Sequence, residues 1–391
     1  MLQPKLRFKT FNDKWNIKKL REILEFKNGI NASKEQYGKG IKFINVLDIL
    51  NNDFITYDNI IGRVNIDKNL LEKYSVSYGD ILFQRSSETR EEVGMANVYL
   101  DKNKIATFGG FIIRGKKIGS YEPYFMNKLL QTNLVRNEII SKAGGSTRYN
   151  VGQDILSEVK IIIPSIQEQK KIADFLSSVD VKLDLTEKKL ELLKNYKKGI
   201  MQKIFSQELK FKDKNGNDYA KWEEKKLENI VNINKGKQLN KEFLLEYDKY
   251  PVINGGILPS GYTGTYNYFA NTITISEGGN SCGYVNFIKK DFWAGGHCYI
   301  LEKKENINYK YLYQILKNNE SNIMELRVGS GLPNIQKKSI NEYRINVSMT
   351  LEEQQKIADF LSSIDNKIEK ISSKLEELKE FKKGLLQQMF V

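Results

Sequence analysis

A stretch of 40 residues that occurs twice constrains the fold more than any other feature. Residues 166–205 and 351–390 align without a gap at an offset of 185, and 22 of the 40 aligned positions carry the same residue. The densest agreement is the motif EQxKIADFLSSxD, at Glu168–Asp180 and Glu353–Asp365. Chance does not produce such agreement over this length, so the chain contains an internal duplication and is interpreted as two halves.

Each copy has the apolar spacing of a coiled coil, alternating four and three residues. In the first copy the seam is Ile172, Leu176, Val179, Leu183, Thr186, Leu190 and Leu193, and in the second it is Ile357, Leu361, Ile364, Ile368, Ile371, Leu375 and Leu378. An isolated helix of this kind would expose its apolar stripe. The simplest prediction is that the two helices pack on each other, and the alternative is that each helix docks only on its own domain.

The heptad phase changes near the end of each copy. Tyr196 and Phe381 come one place early, beside Lys197 and Lys382, and a Lys-Lys-Gly sequence follows in both copies. This coincidence predicts a kink or local unwinding of each helix there. Forty residues at about 1.5 Å per residue make a rod of roughly 60 Å.

The duplication also covers the globular parts. The first half opens with residues 6–29 and the second with residues 209–236, and Lys14-Trp15 corresponds to Lys221-Trp222. The sequence predicts a first globular domain at 1–164, a first spacer helix at 165–208, a second globular domain at 209–350 and a second spacer helix at 351–391. Each opening is interpreted as a helix that leads into a strand.

Between these landmarks the two halves diverge. Short alternating strands separated by glycines predict a twisted, mostly antiparallel sheet in each half. A helix is predicted at 122–142 and at 309–327, and a final strand at 155–163 and within 335–348. Glycine-rich stretches at 144–150 and 329–334 precede the final strands. The predicted fold class is α+β: two similar globular domains and two long helices.

The distribution of charge indicates a polyanionic partner. The chain has 62 Lys and Arg against 48 Asp and Glu, a net charge of +14. The first helix holds nine Lys against six acids and the second holds seven Lys against eight acids, so the pair contributes +3 and −1 and leaves +12 outside the helices. A basic excess in the globular parts is typical of nucleic-acid binding. Charge that serves only solubility is the alternative.

Motifs for catalysis are missing from the sequence. There is no phosphate-binding GxxxxGK[ST] and no GxGxxG after a strand, and the six prolines are isolated, which excludes the adjacent prolines of an amino-methyltransferase motif. The only histidine, His297, is expected to be a packed structural residue. Cys282 and Cys298 lack metal-site spacing and are expected to be free thiols, so no zinc site and no cofactor are predicted in this chain.

No run of about 18 apolar residues occurs, and the N-terminus lacks the apolar core of a signal peptide. The sequence therefore predicts a cytoplasmic protein that binds a ligand and does not catalyse a reaction.

Over its whole length the chain resembles the specificity subunit of type I restriction–modification systems. The resemblance rests mainly on the two EQxKIADFLSSxD segments, each followed by a Leu- and Glu-rich helix with Lys-Lys-Gly near its end. Supporting features are the Lys-Trp openings, the GDIL sequence at Gly79–Leu82 and the region from Ile273 to Ala294.

This resemblance implies a division of labour. Each globular domain is a target-recognition domain that reads one half of a split, asymmetric double-stranded DNA site. The two helices pair antiparallel, related by a pseudo-twofold axis, and set the half-site separation, about 34 Å for one turn of B-DNA. Two modification subunits dock on them, carry S-adenosylmethionine and methylate a flipped adenine. Restriction subunits, which are ATP-dependent translocases and nucleases that use Mg, complete the complex.

Candidate DNA-binding residues are basic and polar side chains in the divergent regions, where direct readout and phosphate contacts are expected. They are Lys34, Gln84, Arg85, Arg90, Arg148 and Tyr149 in the first half, and Lys237, Asn254, Asn280, Arg327 and Lys337 in the second. Two other classes of function stay open at this point. One is a coiled-coil interaction scaffold without a direct DNA role, and the other is a nuclease or methyltransferase that acts alone.

Overall fold

The computed structural model describes residues 3–304, 306–329 and 331–391. Residues 1–2 of the predicted first domain and Ser330 of the second glycine-rich stretch lie outside the described residues. Two long helices dominate the secondary structure, and elements are numbered in chain order. They are α6 at Ile166–Phe205 and α11 at Leu351–Met389.

The chain divides into two compact units, and each unit takes opposite ends of the two long helices. Unit 1 consists of Met1–Thr186 and Lys374–Val391, and unit 2 is Glu187–Ser373. The start of α6 therefore shares a unit with the end of α11, and the end of α6 shares a unit with the start of α11. This is the pairing expected of an antiparallel coiled coil. Because each unit includes parts of both helices, the division does not test the predicted domain boundaries, which stay a prediction.

Unit 1 contains eleven strands and five shorter α-helices among its described residues. The strands are β1 Asn16–Lys19, β2 Leu24–Asn28, β3 Tyr37–Ile44, β4 Arg63–Val64, β5 Ile81–Gln84, β6 Ser86–Ser87, β7 Ala96–Val98, β8 Thr107–Phe108, β9 Ile112–Lys117, β10 Tyr149–Asn150 and β11 Lys160–Ile163. The helices are α1 Val46–Leu50, α2 Lys68–Tyr74, α3 Pro123–Leu130, α4 Asn133–Lys142 and α5 Gln153–Ser157.

Unit 2 repeats this plan with nine strands and four shorter α-helices among its described residues. The strands are β12 Glu223–Lys226, β13 Val231–Lys235, β14 Tyr250–Ile253, β15 Gly261–Thr263, β16 Thr272–Ser276, β17 Val285–Ile288, β18 Trp293–Ala294, β19 Cys298–Lys303 and β20 Arg344–Val347. The helices are α7 Leu227–Ile230, α8 Tyr309–Asn318, α9 Glu320–Glu325 and α10 Lys337–Glu342.

The sheets of the two units have matching topology. Four strands pair in the order β2-β9-β5-β7 in unit 1 and β13-β19-β16-β17 in unit 2, all antiparallel. A three-stranded sheet in each unit has one parallel pairing, β3 with β8 and β14 with β18. The first strand of each unit pairs with its last, β1 with β11 and β12 with β20. The prediction of mostly antiparallel sheets in an α+β fold is confirmed.

Several predicted elements were wrong in detail. The opening after each Lys-Trp begins with a strand, because its backbone pairs with the last strand of the unit. The predicted helix that leads into a strand is present but short: the 3-10 helix Leu20–Glu22 precedes β2, and α7 precedes β13. The final strand predicted at 155–163 begins only at β11, since residues 153–157 form α5 and bury Leu156. The helices predicted at 122–142 and 309–327 are each two helices. Thr132 has extended backbone angles and its hydroxyl bonds to the Leu129 carbonyl, which ends α3.

The repeated EQ pair anchors each long helix to its own globular region. In unit 1 the indole of Trp15 donates to Glu168, and Gln169 accepts from the backbone of Glu122 at the start of α3 and donates to the Pro164 carbonyl. In unit 2 the equivalent bonds run from Trp222 to Glu353 and from the backbone of Asn308 to Gln354. The two motifs therefore share their Glu-Gln pair because each makes the same hydrogen bonds within its own unit.

The predicted helix-pairing residues are mostly buried. Leu193, Ile368 and Leu378 are half-buried, and the buried ones are Ile172, Leu176, Val179, Leu183, Leu190, Ile357, Leu361, Ile364 and Leu375. In unit 2, Ile204 of α6, Leu361 of α11 and Ile315 of α8 belong to one hydrophobic core. The helical segments therefore pack on each other, as predicted. They also pack on the globular region, which was the alternative.

The local unwinding predicted as one alternative at Lys-Lys-Gly was wrong, whereas the other alternative, a kink, stays a prediction. Both long helices are continuous, and the heptad keeps its phase because Lys197 and Lys382 occupy the seam positions. Lys197 is 9% exposed, whereas the neighbouring Tyr196 is 53% exposed. The Lys197 ammonium lies 2.6 Å from Oδ1 of Asp365, and Oδ2 of the same carboxylate accepts from the amide of Gln314 at 2.7 Å. A charged residue keeps its place in the seam because a carboxylate of the facing helix compensates it.

The same pairing occurs in unit 1. The Lys382 ammonium lies 2.7 Å from Oδ1 of Asp180, and Lys128 lies 3.5 Å from Oδ2. The hydroxyl of Tyr124 also donates to Asp180. Burial raises the pKa of the Asp180 carboxyl, but the hydrogen bonds from Lys382 and Tyr124 outweigh burial and hold this pKa below its usual value. The final Asp of the repeated motif is thus the acceptor that fixes a lysine in each seam.

Candidate nucleic-acid interface

In each unit a glycine-rich hairpin lies beside the loop that leaves a central strand. In unit 1 the hairpin closes where Gly144 pairs with Asn150, and β10 pairs with β6 just after β5. Gly145 has a φ of +116°, and a Cβ there would lie 2.1 Å from the Arg148 carbonyl oxygen. The hairpin therefore depends on glycine at its tightest position.

The hairpin brings three of the six first-half candidates together. Arg85 lies at the end of β5 and its carbonyl accepts from the amide of Val151, directly after the hairpin. Arg148 and Tyr149 lie on the hairpin itself, and Arg85 lines an open groove of about 580 Å³ with the hairpin glycines. Arg85 and Arg148 are exposed and Tyr149 is half-buried. Two guanidinium groups and a phenol on one edge suit contacts with phosphates and bases.

The other first-half candidates are placed differently. Arg90 is exposed in the turn after β6, and Lys34 is exposed at the start of a 3-10 helix, Lys34–Gln36. Gln84 is only 4% exposed, and its amide donates to the Ser86 carbonyl at 3.0 Å. Gln84 therefore supports the loop from within and does not lie on the surface where we expected it.

Unit 2 has the equivalent hairpin. Val328 pairs with Asn334, and Asn334 pairs in turn with Gly278, directly after β16. The amide of Ile335 donates to the Glu277 carbonyl, as Val151 donates to Arg85 in unit 1. Arg327 and Lys337 flank this hairpin and Asn280 lies in the facing loop, and all three are exposed. The structure therefore brings these three candidates to one edge.

Lys237 and Asn254 lie on loops at the same end of the unit 2 sheet. The side chain of Asn254 accepts from the backbone of His297, and the Lys237 carbonyl accepts from the indole of Trp293. Lys237 is exposed and Asn254 is half-buried, so Asn254 orders the loop at 295–297.

His297 is not the packed residue that we expected. Its side chain is 67% exposed, and Nδ1 lies 3.4 Å from a carboxylate oxygen of Glu277. Glu277 also pairs with Lys235 at 2.6 Å. His297 follows Gly295 and Gly296 in the loop before β19, where its ring lies on the surface.

Exposed apolar side chains beside both hairpins were missed. Phe111 is 68% exposed, and its carbonyl accepts from the amide of Arg85. Leu332 is 88% exposed at the tip of the second hairpin. Each directly follows a glycine, a signal that the sequence carried. Apolar residues at such tips can wedge between base pairs.

The two cysteines are free and buried, as expected. Burial raises the pKa of the Cys298 thiol to about 12 and also raises that of Cys282, so both stay neutral near pH 7. Among residues 3–304, 306–329 and 331–391 there is no group of three or more side chains placed to hold a metal ion. No helix in the same residues is long and apolar enough to cross a membrane.

Comparison with known proteins agrees with the internal duplication. The family model described as the type I restriction modification DNA specificity domain matches residues 12–195 and again 219–380. The type I restriction enzyme MjaIX specificity subunit of Methanocaldococcus jannaschii is 27% identical over 278 residues, which is 67% of this chain and 62% of that protein. Proteins of Mycoplasma pneumoniae and Mycoplasma genitalium are each 33% identical, but the matches span only 47% and 42% of their own lengths.

A solved structure has the same fold over the full length. The crystal structure of a type I restriction-modification system S subunit from M. genitalium superposes with a TM-score of 0.69 at 21% identity, covering 100% of this chain and 99% of that one. A structure from work on complex assembly of the type I R-M system gives a TM-score of 0.55 at 15% identity over 97% of this chain. With the family model matched twice, over more than half of the residues, the chain belongs to the type I restriction modification DNA specificity domain family.

Proposed function

We propose that this chain is the DNA-recognition subunit of a type I restriction–modification complex. Each globular region reads one half of a bipartite, asymmetric double-stranded site. The observation that carries the proposal is the repetition of one edge in both units: a glycine hairpin against the loop after a central strand, with exposed basic residues on or beside the hairpin in each unit. The family match to both halves supports the same conclusion.

Contacts at this edge divide into two kinds. Arg85 and Arg148 in unit 1, and Arg327 and Lys337 in unit 2, are free enough of neighbouring carboxylates to bind phosphates or base edges. Arg148 has one acidic neighbour, Glu88 at 3.7 Å, and both side chains are exposed, so solvent screens this pair and DNA can displace it. Phe111 and Leu332 supply apolar contact.

The long helices act as the spacer between the half-sites and as the docking surface for two modification subunits. Their small net charge, set against the +12 elsewhere, makes them poor candidates for the DNA surface. The chain itself is proposed to be non-catalytic and cytoplasmic. S-adenosylmethionine, ATP and Mg are proposed to be bound by the modification and restriction subunits.

Sequencing of methylated DNA from cells with and without this chain tests the proposal. We expect a split N6-methyladenine motif that disappears on deletion and returns on complementation. Exchange of residues 1–160 for the corresponding region of another specificity subunit should change one half of the motif only. An unchanged methylation pattern after deletion would favour the scaffold alternative, and methyl transfer by the purified chain alone would establish an enzyme.

A further inference from the structure

One cavity in unit 2 is built around a residue of the repeated motif. It lies within unit 2, has a volume of about 390 Å³, and is lined by aromatic residues together with a buried carboxylate: Phe205, Phe211, Tyr219, Trp222 and Glu353. Glu353 is 3% exposed. The indole of Trp222 donates to it at 3.0 Å and the hydroxyl of Ser348 at 2.5 Å. Among the described residues, no lysine or arginine lies within ion-pair distance of this carboxylate.

The equivalent position in unit 1 is filled by an arginine. Glu168 corresponds to Glu353 in the repeated motif and is 1% exposed. The Arg7 guanidinium binds its two oxygens at 2.7 and 2.8 Å and also donates to the Asp13 carbonyl. The hydrogen bond to Glu168 raises the pKa of Arg7. A buried carboxylate thus receives a bidentate cation, which is the strongest form of this contact.

The residue that corresponds to Arg7 in unit 2 does not reach the carboxylate. Arg7 precedes Phe8, whose ring meets Phe175 edge-on at 5.8 Å, and Lys210 precedes Phe211, whose ring meets Phe360 edge-on at 5.9 Å. Lys210 therefore stands where Arg7 stands in unit 1, but its side chain is exposed. The loop that follows is four residues longer and closes on itself through a 2.6 Å pair between Lys212 and Asp218.

We propose that this cavity binds the guanidinium of an arginine side chain presented by a partner protein. A carboxylate removed from water is costly without a cation, and unit 1 identifies the cation that fits the same frame of tryptophan, phenylalanine and glutamate. Arginine suits the site better than lysine because its planar group can bind both carboxylate oxygens and stack on aromatic rings. The cavity of about 390 Å³ has room for an arginine side chain, and in unit 1 the equivalent guanidinium comes from a protein residue, Arg7.

Lys210 and Lys221 also line the cavity, and both point into solvent. They repel an incoming cation weakly because water screens exposed charges. The consequence of the proposal is an asymmetry. Two partners that dock on the repeated helices can be identical, but a partner that uses this pocket binds the chain only once.

Isothermal titration calorimetry of the full-length chain with N-acetyl-L-arginine methylamide tests whether the pocket binds a guanidinium. We expect one saturable site in the millimolar range and about tenfold weaker binding, or more, in Glu353→Gln, because one charged partner is removed. The uncharged citrulline analogue should not bind. Lys210→Arg should fill the pocket from within and abolish binding, whereas Lys210→Ala should keep it.

Unit 1 supplies the matched control. Arg7→Ala should open a second site of similar affinity, and thermal denaturation of each variant confirms that it is folded. Absence of saturable binding to the wild type, or unchanged affinity in both Glu353→Gln and Lys210→Arg, would overturn the pocket. Agmatine, a guanidinium compound without a peptide backbone, tests whether the guanidinium comes from a protein or from a small molecule. If agmatine binds as tightly as the blocked arginine, the assignment to a protein partner is overturned.

Discussion

The lysine in each coiled-coil seam makes a quantitative prediction about stability. In unit 2 the ammonium of Lys197 lies 2.6 Å from Asp365, and the side chains alone are 11% and 33% exposed. In the same unit Lys289 and Glu369 are also 2.6 Å apart, but they are 60% and 66% exposed. The two pairs share their chemistry, their distance and one helix, α11, and differ in their exposure to water.

Replacing Lys197 with Met keeps the apolar stem and removes the charge, leaving Asp365 with the Gln314 amide alone. Loss of one partner of a fully buried pair costs about 3–5 kcal/mol, and the partial exposure of Asp365 reduces this to about 2 kcal/mol. Asp365→Asn leaves the more deeply buried Lys197 without an anion and should cost about 2.5 kcal/mol. The double variant should lose about 3 kcal/mol, so the coupling between the two residues is about 1.5 kcal/mol.

Urea denaturation followed by circular dichroism at 222 nm measures the free energy of unfolding of wild type, both single variants and the double variant. The same cycle for Lys289→Met and Glu369→Gln is the control, with an expected coupling below about 0.5 kcal/mol because exposed pairs contribute little. A Lys197–Asp365 coupling no larger than the control coupling would refute the argument that the seam lysine is held by its carboxylate.

Three further outcomes follow from the structure. Gly145→Ala displaces Arg148 and should therefore weaken binding of a duplex that carries the methylated motif by about tenfold in an electrophoretic shift assay. The control is Gly216→Ala, which also has a positive φ but open space around it and should leave binding unchanged. Phe111→Ala should weaken the same duplex by about tenfold without lowering the melting temperature, since the ring is exposed; equal binding would remove Phe111 from the interface. The stability that Asp180 contributes is fully present above its unfolded pKa of about 3.9 and is lost as pH falls through its lower folded pKa. Between pH 5 and pH 2, urea denaturation should therefore show a smaller loss of stability for Asp180→Asn than for wild type.

The division into halves and the fold class could be predicted because an internal duplication and a heptad repeat can be recognised from the order of residues alone. Strand positions were also readable, since short apolar runs between glycines need no distant partner to be recognised. Secondary structure was predicted wrongly where a hydrogen-bonded contact with a distant strand determines whether a residue is helical or extended. Residues after Lys14-Trp15 are extended because β1 pairs with β11, and this pairing joins residues far apart in sequence.

The candidate site was only partly readable for the same reason. Arg85 and Arg148 are 63 positions apart, and only the pairing of β6 with β10 puts them on one edge. Gln84 and His297 were misplaced because exposure at a strand end depends on which side chains cover it, a property of the packed structure.

By itself, the sequence determined that two similar halves each carry a long amphipathic helix with the same anchoring motif, because repetition and periodicity are local properties. Tertiary structure decided how the polar residues of those helices are used. Lys197 and Lys382 look like breaks in the seam until an aspartate of the facing helix is placed against each. Glu168 and Glu353 are the same residue of the same motif, yet one is neutralised by Arg7 and the other faces an open cavity. The cost of burying a charge depends on its neighbours in space, and residue order does not specify those neighbours.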